Sequence, residues 1–232
     1  MYRFILILCF FLLIGCHEFP SSSNHHSTEK KVNTLNRQLF DAAEKGNTNE
    51  VLKLLKAGAN IDATNRSGTT PVLAATYHNR VETVKLLINQ GADIDIRDDS
   101  LNNVLLYAGA EGLLEIVKLS IEAGADTNLT NRFGGTALIP AAERGHVNIV
   151  KELLTHSDTD VNHINNLHWT ALLEAVILGD GGEDHQDIVK LLVDHGADID
   201  MGDREGITAL QHAQNNGYQD IVAILSNAKS AN

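Results

Sequence analysis

Apolar residues recur along most of this chain as pairs of short runs. From Thr136 the run Ala137-Leu138-Ile139-Pro140-Ala141-Ala142 breaks off at Glu143-Arg144-Gly145, and a second run follows from Val147 to Leu154 with its apolar residues three and four apart. That spacing places side chains on one face of a helix, so the stretch predicts a helix, a tight turn and a second helix. Thr136 is expected to cap the first helix, its hydroxyl accepting a free backbone N–H, and Gly145 to end it in the left-handed conformation.

The same pattern returns five times. The positions equivalent to Thr136 are Arg37, Thr70, Asn103, Thr170 and Thr208, and the first three steps from Arg37 to Thr136 are 33 residues each. Nine residues on, the inter-helix position reads Gly46, Asn79, Gly112, Gly145, Gly179 and Gly217. A second punctuation follows the second helix at Gly58, Gly91, Gly124, Ser157 and Gly196, in phrases such as Gly91-Ala92-Asp93-Ile94-Asp95.

A 33-residue period in which Thr-Pro or Thr-Ala-Leu opens one helix and Gly-Ala-Asp closes the next resembles the ankyrin repeat. The resemblance implies an all-α solenoid of about six helix-turn-helix repeats with short β-hairpin connections. The repeats fall near 35–64, 65–97, 98–130, 131–164, 165–202 and 203–229, within one domain of residues 35–229. The third unit departs from the pattern with Asn103-Val104, and the fourth with Ser157-Asp158-Thr159-Asp160. The first unit, with Arg37-Gln38 in place of Thr-Pro, and the last, polar after Leu225, read as the caps that a stack of repeats needs at its ends. In the fifth unit five residues, Asp180 to Asp184, are inserted at the inter-helix turn and are expected to form a solvated loop.

The N-terminus follows a different logic. Arg3 precedes an apolar run, Phe4 to Ile14, that is too short for the roughly 20 residues of a membrane-spanning helix and fits a signal-peptide core. It ends in Leu13-Ile14-Gly15-Cys16, which resembles the lipobox of bacterial lipoproteins. The resemblance implies that residues 1–15 are removed and that Cys16 is acylated. Cleavage there leaves one cysteine, so no disulfide can form within the mature chain. Residues 16–34, nearly without apolar side chains, are expected to be a flexible tether between the anchor and the repeats. The expected location is the bacterial cell envelope, lipid-anchored and facing the periplasm, with the outer membrane favoured by His17 after the cysteine.

The formal charge is −12, and loss of residues 1–15, whose only charge is Arg3, makes it −13. Such a balance argues against the basic stripe that nucleic-acid phosphates require and favours a neutral or basic protein partner, the alternative being that the charge serves solubility alone. Neither a Gly-Xaa-Ser-Xaa-Gly elbow, nor a phosphate-binding glycine loop, nor a His-Glu-Xaa-Xaa-His motif occurs in the sequence. No reaction, cofactor or metal is therefore expected. His156, His163, His168, His185 and His195 gather in the fourth and fifth units, and are read as surface histidines. The competing reading is a metal-binding or hydrolytic protein that uses them.

In the ankyrin family, contacts come from the hairpin tips and the exposed side of the first helix. Matched to this sequence, the resemblance implies a protein-binding surface containing Arg66, Tyr77 and His78 in unit two and Arg132, Phe133 and Arg144 in unit four. Unit five adds Leu167, Trp169, Ile177 and Leu178, and unit six adds Arg204. Trp169, the only tryptophan, is expected to be exposed and to act as the hot spot. The expected function is non-enzymatic binding by a monomer, as a scaffold or accessory factor for an envelope protein. A periplasmic inhibitor, or immunity protein, that neutralises a toxic enzyme is the alternative.

Overall fold

The computed structural model describes residues 22–231, so the signal peptide, Cys16 and the start of the expected tether lie outside the described residues. Six helix pairs follow one another among them. They are α1 (Ser22–Lys45) with α2 (Thr48–Lys56), α3 (Pro71–Tyr77) with α4 (Val81–Asn89), α5 (Val104–Ala110) with α6 (Leu114–Glu122), α7 (Leu138–Glu143) with α8 (Val147–His156), α9 (Ala171–Ile177) with α10 (Glu183–Asp194), and α11 (Ala209–Asn216) with α12 (Gln219–Ala231). First helices pack in chain order from α1 to α11 and second helices from α2 to α12, giving two stacked layers around one apolar core.

Burial explains why the two layers read differently in sequence. First helices have neighbours on several sides, so every residue of α3 from Pro71 to Thr76 is buried, and so is every residue of α9 from Ala171 to Val176. Second helices bury one stripe. In α4 these are Thr83, Val84 and Leu87, in α8 Ile149, Val150 and Leu153, and in α10 His185, Ile188, Val189 and Leu192. Alanines at Ala74, Ala75, Ala108, Ala141, Ala142 and Ala175 keep the first layer tightly stacked.

The inter-helix turns of units two, four, five and six also staple each of these repeats to the one before it. Arg80 Nε donates to the Glu44 carbonyl at 2.9 Å and His185 Nε2 to the Glu143 carbonyl at 3.0 Å. His146 Nε2 lies 3.2 Å from the Ala110 carbonyl, and Tyr218 Oη donates to the Gly179 carbonyl at 3.0 Å. Glu44, Ala110 and Glu143 stand at first-helix ends, where carbonyls have no partner within their own helix, and Gly179 lies just past α9. Two of the chain's histidines are thereby structural.

Several expectations need correction. Residues from Ser22 to Thr34, expected as flexible tether, belong to α1. They contain no glycine or proline and extend a helix already nucleated by the packing of Leu39, Ala42 and Ala43, so each further turn adds hydrogen bonds without a new nucleus. The expected β-hairpins are turns. Each tip closes with two backbone bonds, such as Asn65 N–H to the Thr69 carbonyl at 3.0 Å and Gly68 N–H to the Asn65 carbonyl at 3.2 Å, and beyond an isolated antiparallel bridge between Gly202 and Thr208 no strand forms among the described residues. In the insertion, Glu183 and Asp184 form the first turn of α10. The left-handed position moves from Gly179 to Gly181, at φ 72°, where the Tyr218 ring packs so closely that any Cβ would collide with it.

Thr136 does not cap its helix. Thr70, Asn103, Thr170 and Thr208 each accept a hydrogen bond from the amide three residues on, while their carbonyls accept from the amide four residues on. In unit four the latter residue is Pro140, which has no N–H. The Thr136 carbonyl is instead taken by Ile139 N–H at 3.3 Å, and the Thr136 hydroxyl is left buried without a partner.

Candidate binding groove

The hairpin tips are built on one polar residue each. The Oδ1 of Asn65, Asp98, Asn131, Asn165 and Asp203 accepts from the amides two and four residues on, at 2.9–3.1 Å throughout. This fixes the backbone of every tip. It also leaves the second side-chain atom of some of these residues free to reach the first helix or the neighbouring repeat. Asp203 Oδ2 accepts from His212 at 2.7 Å, Asp98 Oδ2 accepts from the Tyr77 hydroxyl, and Asn165 Nδ2 donates to Glu174 Oε1 at 2.6 Å.

Tips and first helices of units three to five enclose a groove of about 350 Å³. Its apolar wall consists of Phe133, Leu167 and Leu178, which are 57%, 51% and 50% exposed, with Ile139 and Pro140 of α7 beneath them. Tyr107 of α5 lines it too, meeting Tyr77 edge to face at 4.4 Å between ring centres. Arg132 lies over the Phe133 ring at 4.8 Å, a cation–π contact on the rim. Arg144 donates to Glu111 at 2.7 Å and to the Ala110 carbonyl at 2.8 Å, which holds it against the preceding repeat.

Glu174 stands apart from these. It sits on α9 with 5% of its surface exposed, among Leu172, Leu173, Ala175 and Val176. Burial, and next the charge of Glu143, push its carboxyl up from the usual 4.5 to about 7, against the lowering effect of the Asn165 hydrogen bond. Both glutamates line the groove.

Of the residues expected to bind, the structure gathers Arg132, Phe133, Arg144, Leu167 and Leu178 in this groove. The others lie outside its lining. Arg66 is exposed at the second tip and Arg204 donates to the Asn166 carbonyl at 2.7 Å. His78 is bonded to the Ala74 carbonyl at 3.0 Å. Tyr77 is half-buried, its phenol pushed well above the usual range first by burial and then by the bond to Asp98. Trp169 and Ile177 are half-buried and pack on the core, so the expected exposure of the tryptophan is corrected. Trp169 occupies the return leg of its tip, where its N–H is held by Asn165 and where the equivalent Asn102 and Ile207 are likewise half-buried and Thr69 and Gly135 are buried.

Sequence reasoning passed over Glu174 and Tyr107. Both lie four residues after the capping position, where unit two has Ala74, and Glu174 is the single charge in Ala171-Leu172-Leu173-Glu174-Ala175-Val176. A lone carboxylate inside an apolar helix was the available signal.

Stacked helix pairs with fixed tips and one groove across three repeats define a helical-repeat binding module. Comparison with known proteins specifies the class. The family model described as "Ankyrin repeats (3 copies)" matches residues 10–98, 39–131, 105–203 and 181–232. The chain belongs to the ankyrin repeat family. It is 46% identical over 76 residues to the putative ankyrin repeat protein YahD of Escherichia coli K12, covering 33% of this chain and 38% of that protein. It is 42% identical over 72 residues to the Notch-regulated ankyrin repeat-containing protein A of Danio rerio, covering 31% and 60%. The chain thus spans less than two thirds of these curated relatives. Among solved structures, an ankyrin repeat domain from Acinetobacter baumannii AYE matches with a TM-score of 0.80 at 44% identity, covering 82% of this chain and 97% of that one. The ankyrin repeat protein EF0377 matches with a TM-score of 0.79 at 40% identity, with the same coverage. Ankyrin repeats indicate a protein–protein interaction module.

Proposed function

We propose that this chain binds a protein partner through the groove of units three to five, without catalysing a reaction, as a lipid-anchored scaffold or accessory factor in a bacterial envelope. The observation that carries the reading is the strip of Phe133, Leu167 and Leu178, each about half exposed on neighbouring repeats. Covering the exposed parts of three such side chains is worth roughly 3 kcal/mol, enough to anchor an interface whose rim is polar. The anchor rests on Leu13-Ile14-Gly15-Cys16, and the preference for a neutral or basic partner rests on the formal charge of −12.

Two measurements test this. Envelope extract is captured on the full chain and on a Phe133→Asp, Leu178→Asp double variant in parallel. A partner held by the first and lost by the second, with both proteins folded, is the expected result, and equal capture by both would remove the groove from the reading. For the anchor, Cys16→Ser should abolish labelling by a fatty-acid probe and release the protein from the membrane fraction. Continued labelling of that variant would exclude lipidation at Cys16.

A further inference from the structure

The groove pairs apolar walls with an acidic floor. Glu174 is 5% exposed, and its two oxygens differ. Oε1 accepts from Asn165 at 2.6 Å, whereas no donor among the described residues reaches Oε2, and Oε2 is not sealed from the groove that Glu174 lines. Neither groove arginine neutralises it. Arg144 is tied to Glu111 and to the Ala110 carbonyl, and Arg132 is stacked on the outer ring of Phe133. Glu143, on α7, faces the same space and adds a second negative charge whose field raises the cost of ionising Glu174.

A nearly buried carboxylate with a like charge beside it and no cation paired with it is an electrostatic deficit that an entering positive group relieves. The walls limit what that group can be. Phe133, Leu167 and Leu178 suit an aliphatic stem, since long basic side chains lay their methylenes on apolar surface and present the charge at the end. We propose that the groove receives one lysine or arginine side chain of a protein partner, its cationic head against Glu174 and Glu143 and its stem along Phe133, Leu167 and Leu178. This rests on the groove being the binding surface, and it specifies the chemistry of the partner residue that enters it.

The test uses a random-peptide phage library selected on the immobilised full chain. Enriched peptides should share a lysine or arginine at a fixed position next to an apolar residue. In a synthetic peptide of that sequence, replacing the basic residue by norleucine should weaken binding about tenfold or more, as should Glu174→Gln. Combined, the two changes should cost little more than either alone, because each removes the same contact. Glu174→Gln keeps the acceptor for Asn165, and its cooperative unfolding in urea shows that the fold persists. Peptides without a fixed basic residue that still lose affinity on Leu178→Asp would overturn the cation site and leave the groove standing. Peptides that bind Leu178→Asp as well as the parent protein would overturn both.

Discussion

Replacing Glu174 by Gln should stabilise the protein at neutral pH and leave it unchanged in mild acid. In the folded chain the Glu174 carboxyl titrates at about 7, whereas in the unfolded chain it returns to the usual 4.5. Between these values the folded state holds a proton that the unfolded state has lost, so stability falls as pH rises across this window. The interval is about two and a half pH units, and at about 1.4 kcal/mol per unit the loss has a ceiling of about 3.5 kcal/mol. Below about pH 4.5 the carboxyl is neutral in both states and the glutamine variant should match the parent. Above about pH 7 the variant should be more stable by roughly 2 to 3 kcal/mol. Urea unfolding midpoints of both proteins across this range report the difference. The elements packed against α9 are the same in both proteins, so their contributions cancel to first order. A stability gap that does not widen between acid and neutral pH would refute the burial and like-charge argument for Glu174.

Further outcomes follow from the packing. Leu153, fully buried in α8, should cost about 2 to 5 kcal/mol on truncation to Ala, and a urea midpoint equal to that of the parent would mean that α8 does not pack as described. Pro140→Ala restores an N–H for the Thr136 carbonyl and frees the Ile139 amide for the Thr136 hydroxyl, so it should add about 1 kcal/mol; a lower melting temperature would show that the proline is not what disables the cap. Trp169, packed on the core, should emit at short wavelength in the free protein, and Trp169→Ala should lower stability more than partner affinity; long-wavelength emission would restore the tryptophan as an exposed contact.

The repeat architecture was legible because it is written six times. A glycine or asparagine at the inter-helix turn has one physical reason, the left-handed backbone seen at Gly46, Asn79, Gly112, Gly145 and Gly217, and its recurrence marks the register of every helix. The site was only partly legible. Phe133, Leu167 and Leu178 could be placed by analogy between repeats because tips and helix ends face solvent in each unit. The exposure of Trp169 was misjudged because its position belongs to the tip, although the side chain is half-buried against the core. Glu174 was missed because an inward-facing position is normally apolar, and only stacking of three units leaves a groove above one such residue. The tether was misread on composition alone, which does not register a helix extended from an already packed segment.

Departures from the regular repeat concentrate beside the groove, and each has an energetic cost. Three tips carry glycine in the left-handed position, Gly68, Gly134 and Gly206, whereas the tips of units three and five carry Leu101 at φ 58° and His168 at φ 68°, a conformation that costs a residue with a Cβ about 1 to 2 kcal/mol. Pro140 leaves the Thr136 hydroxyl buried without a partner, and Glu174 is a carboxylate among aliphatic neighbours. Ser100 and Asn102 on either side of Leu101 line the groove, as do Leu167 beside His168, Pro140 and Glu174 themselves. Units two and six keep the glycine tip, and unit two has Ala74 where unit five has Glu174. Unit two carries two such costs of its own, Asn79 at φ 50° and the buried Thr83 hydroxyl without a partner, but most adjoin the groove, the pattern expected where stability has been exchanged for a binding surface.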